Sequence, residues 1–231
     1  MDVVGNLNWL KARIAETAKR AGRNPGEIKL VAVTKTVPVE KIREALSCGT
    51  NRLGENRVQE FLEKYQQLPP GVEWHLIGHL QTNKVKKIIG KVDLIHSLDR
   101  WVLADVLNQT AIEAGQVVKV LVQVNVSGEK SKYGLAPSET IDFIASTAGL
   151  AGLSVEGLMT IAPWSANPEE VRPVFRQLKE LAGKVKDRVK GSKMDYLSMG
   201  MSGDWEVAVE EGANILRIGT AIFGERDSQT R

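Results

Sequence analysis

Lys35 ends an apolar run, residues 29–34 (KLVAVT), and is followed by Thr36, Val37 and Pro38. A strand that buries Val31 and Val33 delivers a single primary amine to the rim of a sheet. Far downstream stand two glycine-bearing segments, 198–204 (SMGMSGD) and 217–220 (RIGT). Glycine-rich turns present backbone N–H groups to an anion such as phosphate. An amine able to form an imine with an aldehyde, set beside two such turns, is the minimum kit for holding pyridoxal 5'-phosphate (PLP). Each part also has a plainer reading. A lysine after a strand is ordinarily a solvated cap, and SMGMSG can be a simple turn. Arg217 lies inside an apolar run (NILRIG) and is costly to bury without a partner. His75 falls inside a strand and His96 near the end of another, so both read as packing residues. No His, Cys, Asp or Glu cluster has metal-ligand spacing, and no metal is expected.

Strand-like and helix-like patterns alternate along the whole chain. Strands are predicted at 28–34, 52–54, 73–78, 94–97, 117–126, 155–160, 196–199 and 215–219. Most are short and apolar, as in a parallel sheet covered on both faces. Helices are predicted at 39–47, 58–67, 82–90, 100–114, 138–148, 168–189 and 205–211, with Asp99 and Ser138 as start signals. One more helix, 3–21, precedes the first strand, and only a short tail follows the last. The pattern predicts an α/β fold, a single (β/α)8 TIM-like barrel in which the N-terminal helix covers the closing slot. An open doubly wound sheet is the alternative. The expected domain is 1–225, with 226–231 as a C-terminal tail.

Composition narrows the class. The 231 residues carry 42% hydrophobic and 26% charged residues, ordinary for a soluble globular protein. No apolar run approaches the roughly 18 residues of a membrane span. The start (MDVVGNLNWLKARI) alternates apolar and charged positions and does not read as a signal peptide. Cys48 is the only cysteine, which fits a reducing cytosol. A net charge of +3 is too small to argue for nucleic acid. The chain is expected to be cytoplasmic.

In a barrel, site residues gather where strands end. Lys35, Asn56, His79, Asn83, Met159, Thr160, the stretch 198–202 and the stretch 217–220 all fall at predicted strand ends. VAVTKT, GENRVQE, HLIGHLQTNK, NVSGEKSKYG, GLMTI, LSMGMSGD and RIGTAIFG occur in this order across nearly the whole chain. Together they closely resemble the pyridoxal phosphate homeostasis protein (YggS/PROSC) family, which is similar to the N-terminal barrel of alanine racemase. The resemblance implies that Lys35 forms the imine with PLP and that Arg217 faces the pyridine nitrogen. It implies phosphate contacts from Gly219, Thr220 and Ser202, with Ser198 as a further candidate. Asn56 would contact the ring, Met159 would pack on a ring face, and Lys132 would lie near the ring hydroxyl.

These assignments have a chemical consequence. A guanidinium only donates hydrogen bonds, so Arg217 weakens the ring as an electron sink. Fold-type III racemases place a second base, a tyrosine, in a β-rich domain after the barrel; no counterpart is evident here. Tyr65, Tyr133 and Tyr196 are the only tyrosines, and none sits in a catalytic motif. The expected function is binding of PLP for vitamin B6 homeostasis, without significant amino-acid turnover. The expected partners are PLP and PLP-dependent apoenzymes, and the expected state is a monomer. A compact amino-acid racemase, or a barrel for another phosphorylated ligand, are the other readings.

Overall fold

Short apolar runs between polar turns form β1 (Lys29–Val33), β2 (Arg52–Glu55), β3 (Glu73–Leu76), β4 (Leu94–Leu98), β5 (Val118–Gln123), β6 (Leu153–Met159), β7 (Tyr196–Ser198) and β8 (Ile215–Ile218). The computed structural model describes residues 2–129 and 131–225; the predicted tail, 226–231, lies outside the described residues. Neighbouring strands are parallel in the order β1 to β8, and β8 returns to β1. The sheet is therefore a closed barrel without edges. At the β1–β8 seam, Val31 stands opposite Arg217 and Ala32 opposite Ile218.

Helices α1 (Val3–Arg20), α2 (Val39–Ser47), α3 (Val58–Gln67), α4 (Val85–Ile88), α5 (Trp101–Glu113), α6 (Pro137–Thr147), α7 (Arg172–Arg188), α8 (Trp205–Glu210) and α9 (Thr220–Phe223) lie outside it. Strand residues facing the helices join one large apolar layer with residues such as Leu10, Ile42, Phe61 and Phe175. The barrel interior holds a second, smaller cluster of Val31, Leu94, Leu121, Met159 and Ile215.

Helix α1 covers the closing slot, as its sequence predicts. Val3, Leu7, Leu10, Ile14 and Ala18 recur every three or four residues and are buried. Asp2 caps the start by accepting from Gly5 N at 2.7 Å. Asn6 Nδ2 donates to Ile222 O at 2.9 Å, tying α1 to α9. Arg13–Glu206 and Arg20–Glu210 tie it to α8. Each fully buried leucine on this face contributes roughly 1.5–3 kcal/mol.

Several boundaries differ from the sequence reading, for local reasons. The chain after β8 is not only a tail: Ile222 N and Phe223 N both reach Gly219 O at 2.9 Å, closing the turn of α9. Asp99 does not cap α5, because its carboxylate is held by Arg100 Nη1 and lies 3.2 Å from His79 Nδ1. Helix α6 starts at Pro137, ahead of Ser138; Glu139 Oε2 accepts from Ala136 N at 3.0 Å. The predicted helices 82–90 and 168–189 each open with a 3-10 turn, Thr82–Lys84 and Pro168–Val171. Strand β5 stops at Gln123 because Asn125 turns its side chain to Glu129 O and Lys132 O.

Candidate cofactor site

Lys35 follows β1 in a tight turn closed by Val37 N donating to Thr34 O at 2.9 Å. The next residue, Thr36, has φ +62°, the one positive φ on a non-glycine among the described residues. Such a conformation costs about 1–3 kcal/mol and persists only where the surroundings enforce it. Here Lys64 of α3 enforces it. Its Nζ donates to Thr34 O at 2.5 Å, Glu55 Oε1 at 2.7 Å and Glu60 Oε1 at 2.7 Å. Glu60 Oε1 accepts in turn from Thr36 N, and Glu55 Oε1 accepts from Thr34 Oγ1 at 2.6 Å. One ammonium thus secures the peptide groups on both sides of Lys35. Glu55 is 0% exposed. Burial pushes its carboxyl above the ordinary range, while Lys64 and Thr34 pull it back.

Arg217 stands on β8 and is 4% exposed. Its Nη1 donates to Ser198 Oγ at 2.5 Å and its Nη2 to Thr160 O at 2.8 Å. Burial lowers its pKa to about 10, with Asp204 pulling the other way, so it is a cation at neutral pH. The sequence predicts that this arginine needs a partner; the partners are a hydroxyl and a carbonyl. Met159, at the end of β6, is fully buried beside Val31, Leu121 and Ile215.

The glycine-bearing segments meet at the same end of the barrel. Ser202 Oγ accepts from Ala221 N at 3.2 Å, joining the β7 and β8 loops. A Cβ on Gly219 would lie 3.2 Å from Val33 O and 3.3 Å from Val33 Cβ. A side chain at Gly219 would push the end of β8 a few tenths of an ångström from the end of β1, two residues before Lys35. Gly200 has φ +94°, and a Cβ there would press within 2.7 Å of Ala208 Cβ. Thr220 is exposed and opens α9. Helix α8 starts at Trp205, where the pattern places it, and just before it Asp204 Oδ1 accepts from Met201 N at 2.6 Å.

Lys35, Asn56, Met159, Ser198, Ser202, Arg217, Gly219 and Thr220 lie at or just beyond C-terminal strand ends, while Lys132 lies in the long loop after β5. Lys35, Gly219, Thr220 and Ser202 share the β1–β8–β7 sector, and Asn56 follows β2 beside it. Ser198 departs from this group: it is fully buried and bonds Arg217 and His96 Nδ1, the latter at 2.9 Å. Lys132 pairs with Glu129 Oε1 at 2.8 Å. The sequence reading missed the Lys64–Glu55–Glu60 cluster. Its one local signal is the i,i+4 spacing of Glu60 and Lys64. Among the described residues no group of three or more His, Cys, Asp or Glu could hold a metal, and no helix is long and apolar enough to cross a membrane.

A model described as the N-terminal domain of alanine racemase matches residues 5–227. The pyridoxal phosphate homeostasis protein of Aquifex aeolicus (strain VF5) is 50% identical over 227 residues, covering 98% of this chain and 99% of its own. The chain belongs to the pyridoxal phosphate homeostasis protein family. Its barrel is of the alanine racemase N-terminal-domain type. PipY of Synechococcus elongatus PCC7942, solved with PLP bound, matches with TM-score 0.81 and 37% identity, over 91% of this chain and 100% of that one. An alanine racemase from Clostridium difficile 630 has TM-score 0.70 at 17% identity, with 99% of this chain spanning 58% of that one. The racemase likeness is one of fold.

Proposed function

We propose that this chain binds PLP through Lys35 and serves PLP homeostasis without turning over amino acids. The observation that carries the reading is the β1–β8 contact at Gly219. It brings a clamped lysine and a serine-bearing, glycine-bearing turn to one sector of the barrel mouth. When bound, PLP supplies an aldehyde that condenses reversibly with a primary amine. The donor set fits that cofactor. Lys35 offers the amine; Ser202, Gly219 and Thr220 offer hydroxyl and backbone donors for the phosphate. Asn56 and Met159 would flank the ring, and Arg217, with Ser198 behind it, would offer a permanent donor to the ring nitrogen. Family naming and the PLP-bound relative support the same cofactor.

The absence of turnover follows from two features. A guanidinium only donates hydrogen bonds, so it cannot accept one from a protonated ring nitrogen; it keeps that nitrogen unprotonated and leaves the ring a weak electron sink. The tyrosines are also engaged elsewhere. Tyr196 holds Lys29 Nζ at 2.8 Å, Tyr65 packs against Phe61 and Trp74, and Tyr133 stacks on His79 at 4.0 Å. We place the protein in the cytoplasm, as a monomer that passes PLP to apoenzymes; its lone, half-buried Cys48 suits a reducing compartment.

The test is titration with PLP followed by absorbance, borohydride trapping and peptide mapping. The reading expects a visible band and a label on Lys35. A label on another lysine overturns the site. Racemisation of alanine near the enzymatic range of about 1–10³ per second, followed by chiral chromatography, overturns the function.

A further inference from the structure

Behind Arg217 a file of hydrogen bonds runs through the barrel interior to its opposite end. Arg217 Nη1 meets Ser198 Oγ at 2.5 Å, and Ser198 Oγ meets His96 Nδ1 at 2.9 Å. His96 Nε2 meets His75 Nδ1 at 2.8 Å, and His75 Nε2 meets Glu73 Oε1 at 3.1 Å. Glu73 Oε2 then pairs with Arg52 Nε at 2.7 Å. His75, His96, Ser198 and Arg217 are all buried, and they come from β3, β4, β7 and β8.

The chemistry of the two ends fixes every proton between them. A guanidinium only donates and an ionised carboxylate only accepts. Arg217 must donate to Ser198 Oγ, so the serine hydroxyl is left to donate onward to His96 Nδ1. His96 must then carry its proton on Nε2 and donate to His75 Nδ1. His75 carries its proton on Nε2 and donates to Glu73. Four bonds use four protons in one direction, with both imidazoles neutral. The reverse orientation of the central bond needs a cationic His75. It also turns His96 Nδ1–H onto Ser198, whose oxygen would receive two donors while its own hydrogen lost its acceptor. Burial first, and the charge of Arg217 in addition, hold the His96 pKa well below the ordinary histidine value, in line with a neutral His96.

We propose that His96 and His75 are positioning residues for Arg217: their tautomers orient the Ser198 hydroxyl so that its lone pair holds the guanidinium at the mouth of the barrel. The tautomer assignment stands on the chain's own bonds. Its consequence for ligand binding rests on the PLP reading above.

The experiment uses the full chain in two arms. In the first, ¹⁵N NMR of the histidine rings is recorded without ligand at pH 7.5, with His79 as the reference outside the file. Nε2–H tautomers at both His75 and His96 are expected; an Nδ1–H tautomer or a cationic ring at His96 overturns the proposal whether or not PLP binds. In the second, PLP affinity and the absorbance maximum are compared for wild type, His96→Phe, His96→Asn and Ser198→Ala, each checked for folding by circular dichroism. His96→Phe and Ser198→Ala should weaken PLP binding about tenfold and move the maximum. His96→Asn, whose amide oxygen can accept where Nδ1 did, should restore most of both. Should His96→Phe not fold, Ser198→Ala and His96→Asn carry the same comparison. Wild-type affinity and spectrum in the folded Ser198→Ala protein, or no rescue by asparagine relative to phenylalanine, overturn the positioning role. A wild type that binds no PLP overturns the functional reading and leaves the tautomer result to decide the file on its own.

Discussion

Replacing Lys64 by Met should loosen the turn that carries Lys35 while leaving the barrel intact. Methionine has similar length but removes three donated hydrogen bonds at 2.5, 2.7 and 2.7 Å. It strands Glu55, which is 0% exposed, without its counter-charge. Breaking a buried ion pair from one side costs about 3–5 kcal/mol. Glu55 can limit that cost by taking up a proton, because burial already pushes its pKa upward and Lys64 is the principal influence holding it down. The sign follows from proton linkage. A carboxyl whose native pKa is raised contributes stability that is present below its unfolded pKa and lost as pH rises through the native value. Lys64→Met should therefore lose about 3 kcal/mol or more at pH 8 and distinctly less at pH 5, measured by urea unfolding. Adding Glu55→Gln should recover much of the loss at pH 8, since the charge is gone and the amide can still accept from Thr34. In the same variants the rate of borohydride-trapped labelling at Lys35 should fall, because Thr34 O loses its donor and Glu60, which accepts from Thr36 N, loses the ammonium that positions it. An equal loss at both pH values, or no recovery on adding Glu55→Gln, would refute the clamp.

Thr220→Ala should weaken PLP binding by about 0.5–1.5 kcal/mol, and Gly219→Val by more, because its Cβ must push against Val33 O at 3.2 Å; fluorescence titration separates the two. Leu10→Ala should lower stability by about 2–5 kcal/mol, read by urea unfolding, since Leu10 is fully buried on the face of α1 that closes the barrel. Glu211 is held below the ordinary carboxylate range chiefly by its bond to Arg176, then by Arg172, against burial. Its contribution is present above the unfolded pKa and lost as pH falls through the lowered native value. Glu211→Gln should flatten the acid limb of a stability–pH profile.

The barrel was legible because its signal is local. Apolar runs such as KLVAV and VKVLVQ declare strands, and Pro38 starts α2 where the pattern places it. The rim positions of Lys35, Gly219 and Thr220 follow once strand ends are known. Caps were less legible because they depend on competition. Asp99 has the chemistry of an N-cap, yet Arg100 and His79 claim its carboxylate first. His75 and His96 read from the sequence as packing residues, and in the barrel their ring nitrogens are satisfied. What the sequence could not show is that they satisfy each other across the β3–β4 pairing and reach Ser198, because β7 faces β4 only across a closed barrel.

That difference explains how the two ends of the site are held. Lys35 is fixed from behind, by a charge cluster that Lys64 and Glu60 of α3 form with Glu55 at the end of β2. Arg217 is fixed from beneath, by a file of side chains inside them. The two supports share no residue, and one depends on ion pairing while the other depends on tautomers. Combined substitutions, Lys64→Met with Ser198→Ala, should therefore act additively on PLP affinity to within about 0.5 kcal/mol. Clear non-additivity in a double-mutant cycle would mean that the β1 turn and the interior file are one coupled network.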